Sequence, residues 1–422
     1  MIIKEDKRFN EKVYILKLKN GMQVHMLQKE TPYFSTYVEL SMPYGSNHLD
    51  YVIDKTNYKL PAGSAHFMEH KIFAMPYGDA FIEFSNLGVD ANAMTSYQQT
   101  SYLFNATSHV EDALKLLLDM LDTPYFTDEN IIAEEKIIAE ELKMYLDDIE
   151  NVIYQDLMSA MYKNHPFKED IGGTLDSIKE VDKDVLNRIH RHFYHPSNRL
   201  IVISGQIDIK QMKAFFRAYD QSTKEALPKI KYAYEPKTVV TKETIKVKDV
   251  SISKMVLGYK LPLKYKTGLE QIKQEMIYGL LFNLILGPSS MLYHQLLSEQ
   301  KINKNFYMSQ TFEGHFGHFV VFADSKNPIE LKDYLIKQFM EVKDESLTKE
   351  AFERYLKVYI GQFVFALNQN DHKAYMYGKY IHKGAHLFDV IDTISSIKFE
   401  DILKAYDVFI HASYAYVIYK KD

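Results

Sequence analysis

His66-Phe67-Met68-Glu69-His70 is the segment of this sequence whose residue types and spacing can do chemistry. On a helix, residues four apart lie one above the other, so His66 and His70 would project two imidazoles from one face toward one ion. Glu69 sits between them, suited to touch a water held by that ion rather than the ion itself. Two imidazoles and one carboxylate from elsewhere form a zinc donor set that leaves a position open for water. In a chain with 16 His the triplet can also arise by chance, as a solvated helix face, so a third ligand has to be found.

The helix opened by Thr127-Asp128-Glu129 offers four carboxylates: Glu134, Glu135, Glu140 and Glu141. Glu134 and Glu141 are two turns apart and share a stripe on or near which Ile137, Ile138, Leu142 and Tyr145 also lie. A carboxylate inside an apolar stripe is costly unless a positive charge compensates it, and zinc would do so. Glu141 is therefore assigned as the third ligand of one zinc ion, with His66 and His70. Glu134 is assigned as the group that orients a ligand or the water. The plain alternative for the acidic cluster is a wet helix face. The order His-x-x-Glu-His is the inverse of the common metallopeptidase motif, the inverzincin arrangement.

These residues must be positioned by a fold. The chain has 422 residues, 46% hydrophobic and 25% charged, an ordinary globular composition long enough for two domains. Lys plus Arg number 51 and Asp plus Glu 56, a net charge of −5, which leaves no polybasic footprint for nucleic acid or an anionic membrane. With no Cys, disulfides, thiolate metal sites and Cys nucleophiles are excluded. The longest apolar stretch, 276–286, is interrupted by Asn283 and too short to span a bilayer, and the first residues lack a signal-peptide core. The expectation is a soluble, cytoplasmic protein without a membrane partner. No phosphate-binding Gly loop and no Gly-x-Ser-x-Gly elbow occurs, which counts against nucleotide-dependent and serine-hydrolase chemistry.

Turn and periodicity signals predict strands at 12–19 and 22–27, joined at Asn20-Gly21, then a strand at 35–42 and a helix at 64–73. A strand pair over 90–107, helices at 110–121, 127–161 and 183–194, and a strand at 199–205 close the first half. The second half repeats the order. It has a strand at 254–260, a helical region at 268–300, strands at 306–312 and 318–323, helices at 328–342, 348–368 and 399–409, and a strand at 413–419. With a linker at 221–244, the expected division is 1–225, carrying the metal site, and 226–422, a second copy without it.

The run Gly63-Ser64-Ala65-His66-Phe67-Met68-Glu69-His70 resembles the zinc helix of the pitrilysin and insulysin family, which includes the mitochondrial and the small bacterial processing peptidases. Ile138-Ala139-Glu140-Glu141-Leu142 resembles the segment that completes the site in that family, with Glu134 at its auxiliary acidic position. Asn92-Ala93-Met94-Thr95, Thr100-Ser101-Tyr102, His165-Pro166, Gly172-Gly173-Thr174 and Tyr194-His195-Pro196-Ser197-Asn198 agree as well. The resemblance implies an α+β fold of two homologous halves, each a mostly antiparallel sheet covered by helices. It implies a zinc endopeptidase in which Glu69 is general base and then acid. A peptide substrate would add as a strand at 91–96, on Asn92, Ala93 and Met94. The second half resembles the family only in layout. Where relatives carry an Arg followed by a Tyr, within 289–307, this chain has Ser298, then Asn305, Phe306 and Tyr307. That departure implies a homologous, metal-free partner subunit in a heterodimer, or else a homodimer. The competing reading is a non-hydrolytic scaffold or peptide-binding subunit.

Elsewhere, Met276, Ile277, Leu280 and Leu281 fill the helix that corresponds to the zinc helix and cannot bind metal. His315 and His318, three apart, are expected to be ordinary strand residues. His190 and His192, beside Arg188 and Arg191, are expected on a solvated helix face.

Overall fold

A computed structural model gives the fold, and it describes residues 1–29, 34–220, 223–265, 267–313, 316–341 and 347–422. The chain begins with β1 (Ile2–Asp6), β2 (Glu11–Lys17), β3 (Gln23–Gln28) and β4 (Thr36–Met42). The turn into β3 needs its glycine: Gly21 sits at φ +97°, and an added Cβ would lie 3.0 Å from the Ser197 backbone. A small hairpin, β5 (Asp50–Ile53) and β6 (Thr56–Lys59), leads to helix α1 (Ser64–Lys71). After β7 (Ala74–Met75), β8 (Gly78–Asp79) and α2 (Ala80–Asn86) come β9 (Asp90–Thr95) and β10 (Thr100–Ala106). Helices α3 (Val110–Asp122), α4 (Asp128–Asp147), α5 (Ile149–Met161) and α6 (Lys183–Phe193) precede β11 (Leu200–Gly205), α7 (Ile209–Tyr219) and β12 (Lys229–Ile230).

The second half contains β13 (Glu243–Lys248), β14 (Lys254–Pro262), α8 (Gly268–Leu286), α9 (Met291–Ser298), β15 (Tyr307–Glu313) and β16 (Phe316–Asp324). It closes with α10 (Pro328–Glu341), α11 (Lys349–Ala366), α12 (Asn370–His382), α13 (Leu387–Ser395), α14 (Phe399–Ile410) and β17 (Tyr414–Lys421).

Two sheets carry the architecture. The first has the order β1-β2-β3-β11-β4-β10-β9 and the second β13-β17-β14-β16-β15. In the first, β3 and β11 are parallel and every other pair is antiparallel; in the second, β13 and β17 are parallel and the rest antiparallel. The second sheet therefore repeats β3-β11-β4-β10-β9 strand for strand. The fold is α+β, two homologous halves, each a mostly antiparallel sheet covered by helices.

Alternation along the strands sorts each sheet into two faces. In the first sheet, Val24, Met26, Val38, Leu40, Tyr102, Phe104, Ile201 and Ile203 form one apolar core with residues of α1, α3 and α6. The other face is polar and lies against α12: His25 bonds Tyr377, Ser41 bonds His382 and Ser204 bonds Asn370. Lys373 of α12 pairs with Glu11 at 3.0 Å. In the second sheet, Phe319 stacks on Phe282 of α8 at 3.8 Å, beside Phe339 and Phe409. Its other face receives α5, packed so closely that a Cβ on Gly258 would lie 2.5 Å from Met161 Sδ.

The chain forms two compact units that cut across the 225/226 division expected from the linker. One comprises Met1–Tyr145, Glu169–Tyr232 and Ala366–His382; the other comprises Leu146–Lys168, Ala233–Phe365 and Lys383–Asp422. The physical reason is helix exchange. Helix α5, from the first half of the sequence, covers β14 and β17, while α12, from the second half, covers β4 and β11.

Several expected elements differ. The helix expected over 127–161 breaks at Asp148, which leaves helical dihedrals (φ −80°, ψ 110°) and caps α5 by accepting the Glu150 N–H. The region 268–300 breaks after Leu286, where Gly287-Pro288 precede the Ser290 cap of α9. The linker contains β12 and the start of β13, with Gln221 and Ser222 outside the described residues. Val342 at the end of the expected 328–342 helix also lies outside them. The stretch 268–298 is long and apolar enough to pass for a membrane span, but 67% of its most apolar window is buried, as in a core helix.

Candidate metal centre

Helix α1 starts at Gly63, which adopts φ +83°; an added Cβ there would meet the Gly172 carbonyl at 2.3 Å. A glycine is needed both for the left-handed backbone and for the approach of the 172–173 loop. Ala65, Phe67 and Met68 turn into the core, which leaves His66, Glu69 and His70 on the opposite flank. The two imidazole rings lie 4.6 Å apart, centroid to centroid. Helix α4 is anchored by Ile131, Ile138 and Leu142, and this rotation sets Glu134 and Glu141 on the side that meets α1.

The donor atoms converge. His66 Nε2 is 3.8 Å from one Glu141 oxygen and His70 Nε2 is 3.5 Å from the other. One donor atom from each of His66, His70 and Glu141 lies within 4.8 Å of the others, the only such group among the described residues. Glu134 does not join them. Its Oε1 accepts from His70 Nδ1 at 3.1 Å and its Oε2 from Lys71 Nζ at 3.3 Å. Tyr145 donates to Glu141 at 2.8 Å, and Thr95 of β9 donates to Glu69 Oε2.

Burial and charge set the protonation of these groups. Burial, aided by the neighbouring His70, pushes His66 down to about 4, so at neutral pH its ring is a neutral donor. Burial also pulls His70 down, but the Glu134 hydrogen bond and the charges of Glu69, Glu134 and Glu141 outweigh it and leave His70 raised. Glu69 is raised by burial, against the Thr95 hydrogen bond. Burial pushes Glu134 up, and the bonds to His70 and Lys71 more than reverse it. Tyr145 is pushed up to about 12, first by its bond to Glu141. Asp170, which accepts the Gly172 N–H at 2.7 Å, is raised by burial and by the Glu141 charge.

The donor chemistry fits a divalent cation. Two neutral-capable imidazoles face one carboxylate, and His70 is already turned by Glu134 so that Nε2 points away from its partner. Among the described residues His66 Nδ1 is buried without a hydrogen-bond partner, and the ring lies against Gly172 of the 172–173 loop. Zinc is the ion such His and carboxylate donors would hold.

Beside α1 runs β9, an edge strand of its sheet among the described residues. Ala93 packs on the core side and Thr95 reaches Glu69 from that same side. Asn92 and Met94 alternate to the other face, Met94 being exposed. The Asn92 carboxamide accepts the N–H of Ala93 at 2.8 Å.

Three contributions escape a reading of the sequence. Thr95 was visible only as part of the Asn92-Ala93-Met94-Thr95 run, although its two-residue spacing from Ala93 already puts it on the α1 side. Lys71 reads as a surface residue, yet it is 3% exposed. The Tyr145 hydroxyl could have been found from its position one turn after Glu141. The apolar stripe that argued for Glu141 is only half buried: Ile137 is 58% exposed and Tyr145 37%. His190 and His192 are not on a solvated face, since they bond the Leu121 carbonyl and the Tyr51 hydroxyl. His318 is fully buried between the hydroxyls of Tyr154 and Tyr162, and His315 lies outside the described residues. Ser298 bonds its own helix at Gln295, and Tyr307 stacks on Phe322 at 4.4 Å.

An inverted His-x-x-Glu-His helix, a distant glutamate and a duplicated sheet define a class of metallopeptidase fold, and comparison with known proteins gives the family. The model described as Insulinase (Peptidase family M16) matches residues 55–175, and the one described as Peptidase M16 inactive domain matches 180–359. The uncharacterized zinc protease YmfH of Bacillus subtilis is 34% identical over 404 residues, which cover 94% of each chain. The chain belongs to peptidase family M16. A second Bacillus subtilis zinc protease, YmxG, is 24% identical over 81% of this chain and 84% of its own length. Among solved structures, an M16-like peptidase from Alicyclobacillus acidocaldarius superposes with a TM-score of 0.91 at 27% identity, covering 98% of this chain and 99% of that one. The periplasmic protease PqqL of Escherichia coli shares the fold at 14% identity and a TM-score of 0.76, over 99% of this chain but 48% of its own.

Proposed function

We propose that the chain is a cytoplasmic zinc-dependent endopeptidase that hydrolyses extended oligopeptides or leader segments of small precursor peptides, acting with a homologous, metal-free partner chain. The observation that carries this reading is the meeting of His66 Nε2, His70 Nε2 and the Glu141 carboxylate, from two helices distant in sequence, with Glu69 on the same flank.

One zinc ion held by these three residues would polarise the scissile carbonyl and bring the acidity of an attacking water toward neutral pH. The rest is done by side chains. Glu69, one oxygen of which is held by Thr95, takes the proton of the attacking water and passes it to the leaving amine. Glu134 fixes the His70 ring through Nδ1. The edge strand β9 takes the substrate backbone as an added strand along Asn92, Ala93 and Met94. The Ala93 N–H exchanges the Asn92 carboxamide for a substrate carbonyl, so recognition rests on main-chain bonds and suits many sequences.

Two observations support a partner: Ser298 stands where the resemblance expects an Arg, and PqqL, which shares the fold, is about twice as long as this chain. The scaffold alternative gains nothing, because no ligand position is lost. Affinity purification of Glu69→Gln from the native cell, with mass spectrometry and elemental analysis, tests the reading. Bound zinc, trapped peptides and a co-purifying homologous chain are expected; a Glu69→Gln protein that takes up no zinc on loading contradicts it.

A further inference from the structure

Lys71 is the residue after the second histidine of the motif, and it is buried within α1 with its ammonium 3.3 Å from Glu134 Oε2. The other oxygen of the same carboxylate accepts from His70 Nδ1 at 3.1 Å. Burying a lysine is costly unless the charge is paired, and Glu134 is the partner that faces it. A carboxylate seven residues from Glu141 on one helix face could also turn toward the cation itself. One hydrogen bond to each of its oxygens instead holds it turned toward His70 and Lys71.

We propose that Lys71 is a positioning residue for the metal centre. It completes a Lys71–Glu134–His70 relay that keeps Glu134 off the metal and holds His70 with Nδ1–H toward Glu134 and Nε2 bare toward Glu141. The inference rests on the zinc reading above and deepens it, by assigning a function to a side chain that touches neither substrate nor metal. Glu134 acts directly on a ligand; Lys71 acts through Glu134.

The test measures zinc affinity of the full-length protein by chelator competition, and the visible spectrum of the cobalt-loaded form, for Lys71→Met, Lys71→Arg, Glu134→Gln and the Lys71→Met/Glu134→Gln double variant. Outer partners of metal-bound histidines are typically worth about 10–100-fold in metal affinity. Lys71→Met is expected to lose affinity in that range and to alter the cobalt spectrum, with Lys71→Arg restoring most of both. In the Glu134→Gln background, Lys71→Met is expected to add no further loss, because the relay is already cut. The double variant removes both charges of the pair together, so it keeps the test open if Lys71→Met alone does not fold. Wild-type zinc affinity in Lys71→Met, or a loss of the same size in the Glu134→Gln background, overturns the proposal. Absence of zinc binding by the unaltered chain would overturn the zinc reading itself, and this inference with it.

Discussion

Helices α1 and α8 occupy corresponding places in two sheets of the same order, and they differ in what they present. Helix α1 buries Ala65, Phe67 and Met68 and keeps a polar flank with two histidines and a glutamate. Helix α8 buries Met276, Tyr278, Leu280, Leu281, Phe282, Leu284 and Ile285, and its Phe282 stacks on Phe319. One topology therefore supports a polar site in one half and a larger aromatic core in the other. Chemistry lives in the side chains placed on the fold, and the fold alone does not imply it. The edge strands differ in the same way: β9 runs beside Glu69 through Thr95, whereas the corresponding β15 offers Tyr307, stacked on Phe322.

The largest expected effect breaks the comparison at α1. Glu69→Gln should keep its metal and lose about 10²–10⁴-fold in peptide cleavage, the range for a general base. Cleavage at the wild-type rate would remove Glu69 from its role. His66→Ala should lose both metal and cleavage, as elemental analysis and a peptide assay would report.

A substitution in the second half should do the reverse. Phe319→Ala deletes a buried ring, 1% exposed, from the aromatic core, and is expected to cost about 3–5 kcal/mol of stability by denaturant unfolding. Zinc content per folded molecule should stay unchanged. A loss of zinc with stability intact would show that the two regions are not divided as the comparison holds.

A buried titratable group on the α12-facing side of the first sheet and one on the α5-facing side of the second give opposite pH dependences. Burial pushes Glu39 up to about 7, against bonds from Ser101 and Gln99. Its folded pKa exceeds its unfolded one, so the unfolded chain releases the proton first, and stability should fall as pH rises from about 4.5 through 7. Glu39→Gln should remove that slope, raising stability by about 1–3 kcal/mol at pH 8 with little change at pH 5. A Glu39→Gln protein with the wild-type slope would assign the effect elsewhere. His318 is pushed down to about 3 by burial, then by His165. Its contribution is present above about 6.5 and lost as pH falls toward 3. Acid unfolding followed by the near-ultraviolet signal of the tyrosines should therefore shift on substitution of His318 and not of Glu39.

The sequence made the site legible where local spacing decides geometry. His66 and His70 at one helical turn, Glu134 and Glu141 at two turns, and the Asn20-Gly21 hairpin all follow from periodicity and turn chemistry. The exchange of α5 and α12 between the sheets was hidden, because nothing local marks which sheet a helix covers. The break at Asp148 was hidden for a related reason: Asp is also an ordinary residue within a run of helix formers, and only its dihedrals show that it caps. Lys71 was hidden because a lysine reads as solvated until its carboxylate partner, from a different helix, is known.

The central claim is that one cation site exists, in the first half, made by α1 and α4. A crystal of the zinc-loaded protein, measured on both sides of the zinc absorption edge, tests it most directly. The prediction is a single anomalous peak per chain, bonded by His66 Nε2, His70 Nε2 and Glu141. A peak located elsewhere, or none after loading, contradicts it.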